Sequence, residues 1–438
     1  MREGRVAMKS TNEGAAVKNP TPLFYPSSGA MYPRVTSIVF LVLATTAFCS
    51  PTIFKSNDIE YGAVILLLFI AVLAKLADPG RNSEEWRQAR LILLLFLLPQ
   101  IVFYGFTIVL HLVNPDAIGS VGTNVSGFAP VFLVAAFILL FGREALRMLL
   151  VVIGTSVAVW GVFVLCRYGV EAIVESAKCI ILYQGSDPSG ATTNYFEVHD
   201  ITFAAGYLLL LGLATYQSDR RFGSFLIACS LFLIVIGLKR IQLLALIIAV
   251  ICFAAFRSST DKRALRIVTA CIVGIACYVF LDLVLSGAMF RIFADTNFMG
   301  RQYYWSSMAN YASFDPGYVG IGRNAIAHLM KGDLSYLRVG GVHSDILKIY
   351  VESGFFLFTA WLVFFLFVIP AALCSKFKSQ QVASFFMVLM VYSFVLYATD
   401  NVENYLISQS TLILCLIFFV QRNAGSNHLF ARKIRSKV

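Results

Sequence analysis

The chain has 438 residues, 58% of them hydrophobic and 13% charged, with a mean hydropathy of +0.77. A soluble domain carries about 25% charged residues, so this chain has too few to cover a water-facing surface of its size. It reads as an all-α polytopic membrane protein, which excludes a cytosolic enzyme, a secreted enzyme and a disordered chain. The net charge of +11 would suggest nucleic acid in a soluble protein. Here it reflects topology, because Lys and Arg collect in cytoplasmic loops, and no nucleic-acid partner is expected.

Residues 1–34 are polar, with Pro20, Pro22 and Pro26, and read as a flexible cytoplasmic tail. A spanning helix needs about 20 apolar residues. Twelve runs qualify, some by extending into their flanks: 35–54, 61–77, 91–113, 128–141, 148–166, 201–216, 224–238, 241–256 and 267–285, then 354–374, 381–399 and 405–420. Helices 1–9 thus occupy 35–285 and helices 10–12 occupy 354–420. Between them lies a long polar loop, 286–353, and a basic tail follows at 421–438.

The stretch 224–256 would be about 50 Å long as one helix, against a hydrocarbon core of about 30 Å. Both its flanks are basic, Arg220-Arg221 before and Arg257, Lys262, Arg263 and Arg266 after. A hairpin turning at Gly237-Leu238-Lys239-Arg240 keeps both clusters on one side. With that hairpin, most Lys and Arg fall inside, and the outer loops at 114–127 and 400–404 contain none. Both termini are therefore expected in the cytoplasm. The nine cysteines form no CxxC, so neither disulfides nor a thiolate metal site is expected. No HExxH, no DxD pair and no Walker loop occurs, so the expectation is no cofactor, no dedicated metal site and no ATP hydrolysis.

Basic residues on the outer side run against the topological bias. Arg240 stands between two short spans, at or below the membrane surface. A charge at such depth is costly and usually faces a cavity or a partner; the competing reading is a snorkelling Lys239-Arg240 pair. Arg301 begins Arg301-Gln302-Tyr303-Tyr304-Trp305, Arg323 follows Gly320-Ile321-Gly322, and Arg338 precedes Gly340-Gly341. Guanidinium groups donate in a planar fork that suits phosphate oxygens; an exposed loop arginine is the plainer reading for Arg338 and weighs about evenly for Arg323. Tyr303 and Trp305 can stack on sugar faces or pack the loop onto the membrane. The run His343-Ser344-Asp345-Ile346-Leu347-Lys348-Ile349-Tyr350-Val351-Glu352-Ser353-Gly354 reads as a helix that places His343, Leu347, Tyr350 and Gly354 on one face. His343 then sits at its outer end, where an imidazole can pass protons or cap the helix, with Asp345 beside it. His111, His199, His328 and His428 are weaker candidates.

The order of these pieces resembles the bacterial O-antigen ligase and O-antigen (exopolysaccharide) polymerase family. Lys239-Arg240-Ile241 matches its basic residue at a tight periplasmic turn, and Gly300-Arg301 with Trp305 matches the Gly-Arg stretch of its loop. His343-Ser344, with nine residues before Gly354, matches its His-led motif, although Leu357 stands where that motif has Gly, Thr or Tyr. The resemblance implies a metal-independent membrane glycosyltransferase of the bacterial inner membrane. It would act at the periplasmic face on undecaprenyl-diphosphate-linked glycan, in exopolysaccharide, capsule or lipopolysaccharide biosynthesis. The acceptor would be another lipid-linked unit (a polymerase) or lipid A core (a ligase), and the partners would be the bilayer and other polysaccharide assembly and export proteins. On this reading His343, Arg240 and Arg301 are catalytic, and Lys239, Arg323, Tyr303, Trp305 and Asp345 bind substrate. The alternative is a transporter or flippase for the same lipid-linked glycans.

Overall fold

The computed structural model describes residues 32–54, 56–115, 117–120, 127–182, 193–292, 301–332, 334 and 342–435, and side chains within these from 36 to 423. The expected tail therefore falls largely outside the described residues, as do Gly300 and Arg338. All regular structure among the described residues is helical. In chain order the helices are α1 Tyr32–Ile53, α2 Asn57–Ala77, α3 Ser83–Val113, α4 Ala129–Phe141, α5 Ala145–Ile181, α6 His199–Thr215, α7 Arg220–Gly237 and α8 Arg240–Ser258. They continue with α9 Lys262–Leu285, α10 Ala288–Ile292, α11 Arg301–Met308, α12 Ala325–Lys331, α13 Asp345–Val363, α14 Ile369–Phe377, α15 Gln380–Thr399 and α16 Leu406–Arg435.

Among the described residues, ten helical stretches are long and apolar enough to cross a membrane. One of them, Ala129–Ile181, holds two of the expected runs, because α4 and α5 are separated by a single 3-10 turn at Gly142–Glu144. The shorter apolar helix α6 carries another. Each of the twelve expected runs falls on helix. The tenth is α13 and α14 joined through a π-helical turn, Phe364–Val368.

The chain falls into two units, residues 1–39 and 40–438. The described part of the first is the opening of α1. In the second, α15 and α16 are the most enclosed spans, with 83% and 72% of their apolar windows buried. A helix that is apolar all round belongs inside a bundle rather than against water. α6 and α16 pack together, α4 lies against α2, α3, α5 and α16, and α15 contacts α6, α8, α9, α13, α14 and α16. The outer helices leave large apolar side chains uncovered, among them Leu76, Leu112, Ile251 and Phe356, as lipid-facing surfaces do.

The expected hairpin turn is present. α7 ends at Gly237, Leu238 takes φ +40°, and Lys239 precedes α8. Gly237 lies so close to Thr202 of α6 that a Cβ there would clash with its side chain. This close approach seats the turn on the first turns of α6, which brings Lys239 to the segment leading into that helix.

Candidate active site

The loops that join α3 to α4, α5 to α6, α7 to α8, α9 to α13 and α15 to α16 meet at one end of the bundle. Backbone hydrogen bonds tie the α3–α4 loop to the α9–α13 loop, and that loop to α13. Gly119 N donates to Ile321 O (3.0 Å) and Ser120 N to Arg323 O (2.9 Å). Ile321 N and Gly322 N donate to Val351 O (3.2 Å) and Glu352 O (2.9 Å), and Phe355 N to Tyr318 O (2.9 Å).

Those last three bonds explain the spacing that ends at Gly354. Gly354 has φ +75° and ψ 177°, a break within α13. A Cβ at Gly354 would overlap the backbone of Val319, and one at Gly320 would crowd the backbone from Glu352 to Gly354. Only glycine allows this crossing of two backbones. At the start of the same motif, Ser344 is the N-cap of α13, its Oγ accepting from Leu347 N (3.2 Å). His343 is therefore not the first residue of the helix, as the periodicity suggested. It stands just outside with φ +50°, a conformation that histidine tolerates better than most residues.

That placement turns His343 toward a chain of polar groups. Its Nδ1 lies 4.0 Å from Asp400 Oδ1, ion-pair reach rather than a hydrogen bond. The same carboxylate oxygen accepts from the Tyr405 hydroxyl (3.0 Å) and from Asn401 N (2.8 Å). Tyr405 Oη lies 3.4 Å from His199 Nδ1, and His199 Nε2 lies 3.3 Å from Glu197 Oε1. Glu197 Oε1 in turn receives Lys239 Nζ at 2.5 Å. With the Tyr405 proton directed at Asp400, the arrangement asks His199 to donate at Nδ1. Burial alone would raise the Asp400 pKa. The His343 contact, then His199 and Lys239, outweigh it and hold the carboxyl well below the usual range. Burial first, then Asp400, pushes the Tyr405 phenol far up, so it stays a donor. Asp200, next to His199, accepts from Ile407 N (2.9 Å) and Ser408 N (2.6 Å), capping α16 and fixing this corner.

α11 lies beside His343. The Tyr304 ring centroid is 6.3 Å from the imidazole, and Trp305 Nε1 donates to Val342 O (2.7 Å). Arg301 stands one turn before Tyr304, so it shares that helix face. Its Nε is buried with no hydrogen-bond partner among the described residues. Arg240, at the first turn of α8 beside Lys239, is exposed, and so is Tyr303. Trp305, by contrast, is buried edge-on to Phe280, its faces covered by protein rather than open to a sugar.

Arg323 and Asp345 belong to a second cluster, deeper in the protein. Arg323 Nη2 donates to Glu403 Oε1 (2.6 Å) and Nη1 to Glu352 Oε2 (3.3 Å). Lys348 Nζ reaches Glu403 Oε2 (3.3 Å), and Glu403 N donates to Asp345 Oδ2 (2.6 Å). Burial opposes ionisation of Glu403, but Arg323 and then Lys348 prevail and hold its pKa at about 2. Burial likewise opposes the Arg323 charge, and Glu403 followed by Glu352 more than restores it.

Among the described residues no group of three or more His, Cys, Asp or Glu side chains is arranged to hold a metal ion. Sequence reasoning had not assembled Glu197, His199, Asp400 and Tyr405. Their one sequence signal was the His199-Asp200 pair opening an apolar run.

Fold and loops together define a polytopic helical membrane protein with a polar histidine constellation at one end of its bundle. A family model described as O-antigen ligase matches residues 225–362, and over that stretch, from within α7 to α13, the chain resembles this family. A comparison with curated proteins gives no match.

Proposed function

We propose that this chain is a glycosyltransferase that transfers or polymerises undecaprenyl-diphosphate-linked glycan, working without a metal. Its site would lie at the loop-bearing end of the bundle, facing the periplasm, with both termini in the cytoplasm of an inner-membrane protein. The observation that carries this reading is the position of His343. It is half-exposed, backed at Nδ1 by the ionised Asp400, flanked by the Arg301 helix, and inside the stretch that resembles O-antigen ligase.

In the proposed reaction an acceptor hydroxyl oxygen attacks the anomeric carbon of the donor sugar. The bond from that carbon to the phosphate oxygen breaks, and undecaprenyl diphosphate leaves with the electron pair. Attack from the face opposite the leaving group inverts the configuration. The hydroxyl proton passes to His343 at Nε2, the ring nitrogen turned from Asp400. Asp400 keeps the Nδ1–H tautomer and steadies the imidazolium that forms, the division of labour seen in acid–base dyads. Arg301, whose Nε has no partner among the described residues, and exposed Arg240 supply preorganised positive charge for the departing diphosphate. Lys239 is held by Glu197 at the rim, and Tyr303 offers an open ring to a sugar face. Arg323, Asp345 and Trp305 frame this site from beneath rather than touching substrate.

The test is purified protein with undecaprenyl-diphosphate-linked saccharide and no energy source. New glycosidic bonds with release of undecaprenyl diphosphate support the proposal. Glycan moving across vesicles without bond formation would support the flippase reading and overturn it.

A further inference from the structure

At the opposite end of the bundle, the chain holds a cavity of about 310 Å³ that the proposed reaction does not use. It lies where the ends of α6, α8, α9, α15 and α16 converge. Arg257, Lys262 and Arg422 line it together with Gln381, Asn423 and Ser384, and among the described residues no carboxylate does. Four phenylalanines, Phe256 and Phe385 among them, form the apolar part of the wall. Arg422 is shared with Asp219, 3.3 Å away, and among the described residues Lys262 Nζ reaches Ser259 O at 3.4 Å. Arg257 is exposed at the rim.

The decisive group is Ser384. It is 4% exposed, and its Oγ has no hydrogen-bond partner among the described residues. A buried hydroxyl without a partner is costly, and this one lines a cavity rimmed by cations. Such a hydroxyl suits an anionic oxygen. The aromatic wall and the position at the ends of spanning helices suit a ligand that is polar at one end and acyl at the other. Basic pockets between spanning helices take phospholipid headgroups, and the volume lies at the lower end of small-molecule sites. We propose that this cavity binds the phosphate headgroup of an anionic membrane phospholipid.

The test is a titration of the full-length protein in neutral detergent with short-chain phosphatidylglycerol, read as saturable binding and as a rise in melting temperature. Phosphatidylcholine and inorganic phosphate serve as comparisons. Phosphatidylglycerol should bind at least tenfold more tightly than either. The double variant Arg257→Gln/Lys262→Gln should weaken it about 30-fold, at about 1 kcal/mol for each cation near the surface. Ser384→Leu fills the cavity without changing charge and should also abolish saturable binding. The double variant Arg221→Gln/Arg263→Gln removes two exposed charges outside the cavity and should bind as the parent does. Equal binding of inorganic phosphate would overturn the lipid source. Binding that survives both cavity variants, or that falls equally in the Arg221/Arg263 control, would overturn the site.

Discussion

His343 and Arg323 lie at the same end of the bundle, yet the His343 side chain is 35% exposed and that of Arg323 only 3%. Both belong to chains of charged groups, and both chains run through the short segment between α15 and α16. Asp400 serves the histidine cluster, and Glu403, three residues later, serves the arginine cluster. In the first cluster the His343 imidazole stays partly exposed. In the buried cluster Arg323 engages two carboxylates with both terminal nitrogens. Under the proposed function the same residue chemistry serves reaction in one place and assembly in the other, and burial separates the two.

The largest expected effect falls on the buried cluster. Arg323→Ala leaves Glu403 and Glu352 buried with too little positive charge, and breaking such a network costs about 3–5 kcal/mol. Denaturant titration of the detergent-solubilised protein should show that loss of stability; an unchanged midpoint would dissolve the contrast. Arg301→Ala should instead leave stability alone and slow product formation about 100- to 1000-fold, the scale of a lost oxyanion donor. Lys should restore little there, because a point charge lacks the planar fork. Asp400→Asn should cost about 10- to 100-fold in rate, as partners that orient a histidine commonly do, with the protein still folded and His343 still required.

A further effect is a pH dependence of stability. Glu403 is held at about 2 against a usual 4.5. A depressed carboxyl contributes stability fully above its unfolded value and loses it as pH falls through the folded one. The stability difference between wild type and Glu403→Gln should therefore be constant above about pH 4.5 and shrink steadily toward pH 2. A difference that stays flat down to pH 3 would mean that Glu403 is not the anchor of the buried cluster.

The helices were legible in the sequence because apolar runs and basic flanks are local signals. The hairpin at Gly237–Arg240 followed from charge on both sides of one overlong run. The spacing from Ser344 to Gly354 was visible too, but its cause was not: Gly354 is needed for a backbone 35 residues earlier, at Val319, to cross α13. Burial was not readable either, so Arg323 and Trp305 resembled ligand-binding residues until packing enclosed them. The partners of His343 escaped because they come from far along the chain. Tyr405 meets His199 across 206 residues, and no single window contains both. His343 itself was read as the first helical residue, two positions ahead of the true start at Asp345, since periodicity cannot see that Ser344 caps the helix.

The most direct measurement is a pH–rate profile of glycosidic bond formation by the purified wild type, His343→Ala and His343→Gln, with undecaprenyl-diphosphate-linked saccharide as donor. His343 acting as the base is expected to give a rate that falls on acidification in the wild type. His343→Ala should then lose about 100- to 10,000-fold, and His343→Gln should be equally slow, with no acid limb. Either variant matching the wild type across the whole pH range, with the same product, would contradict a reaction centred on His343.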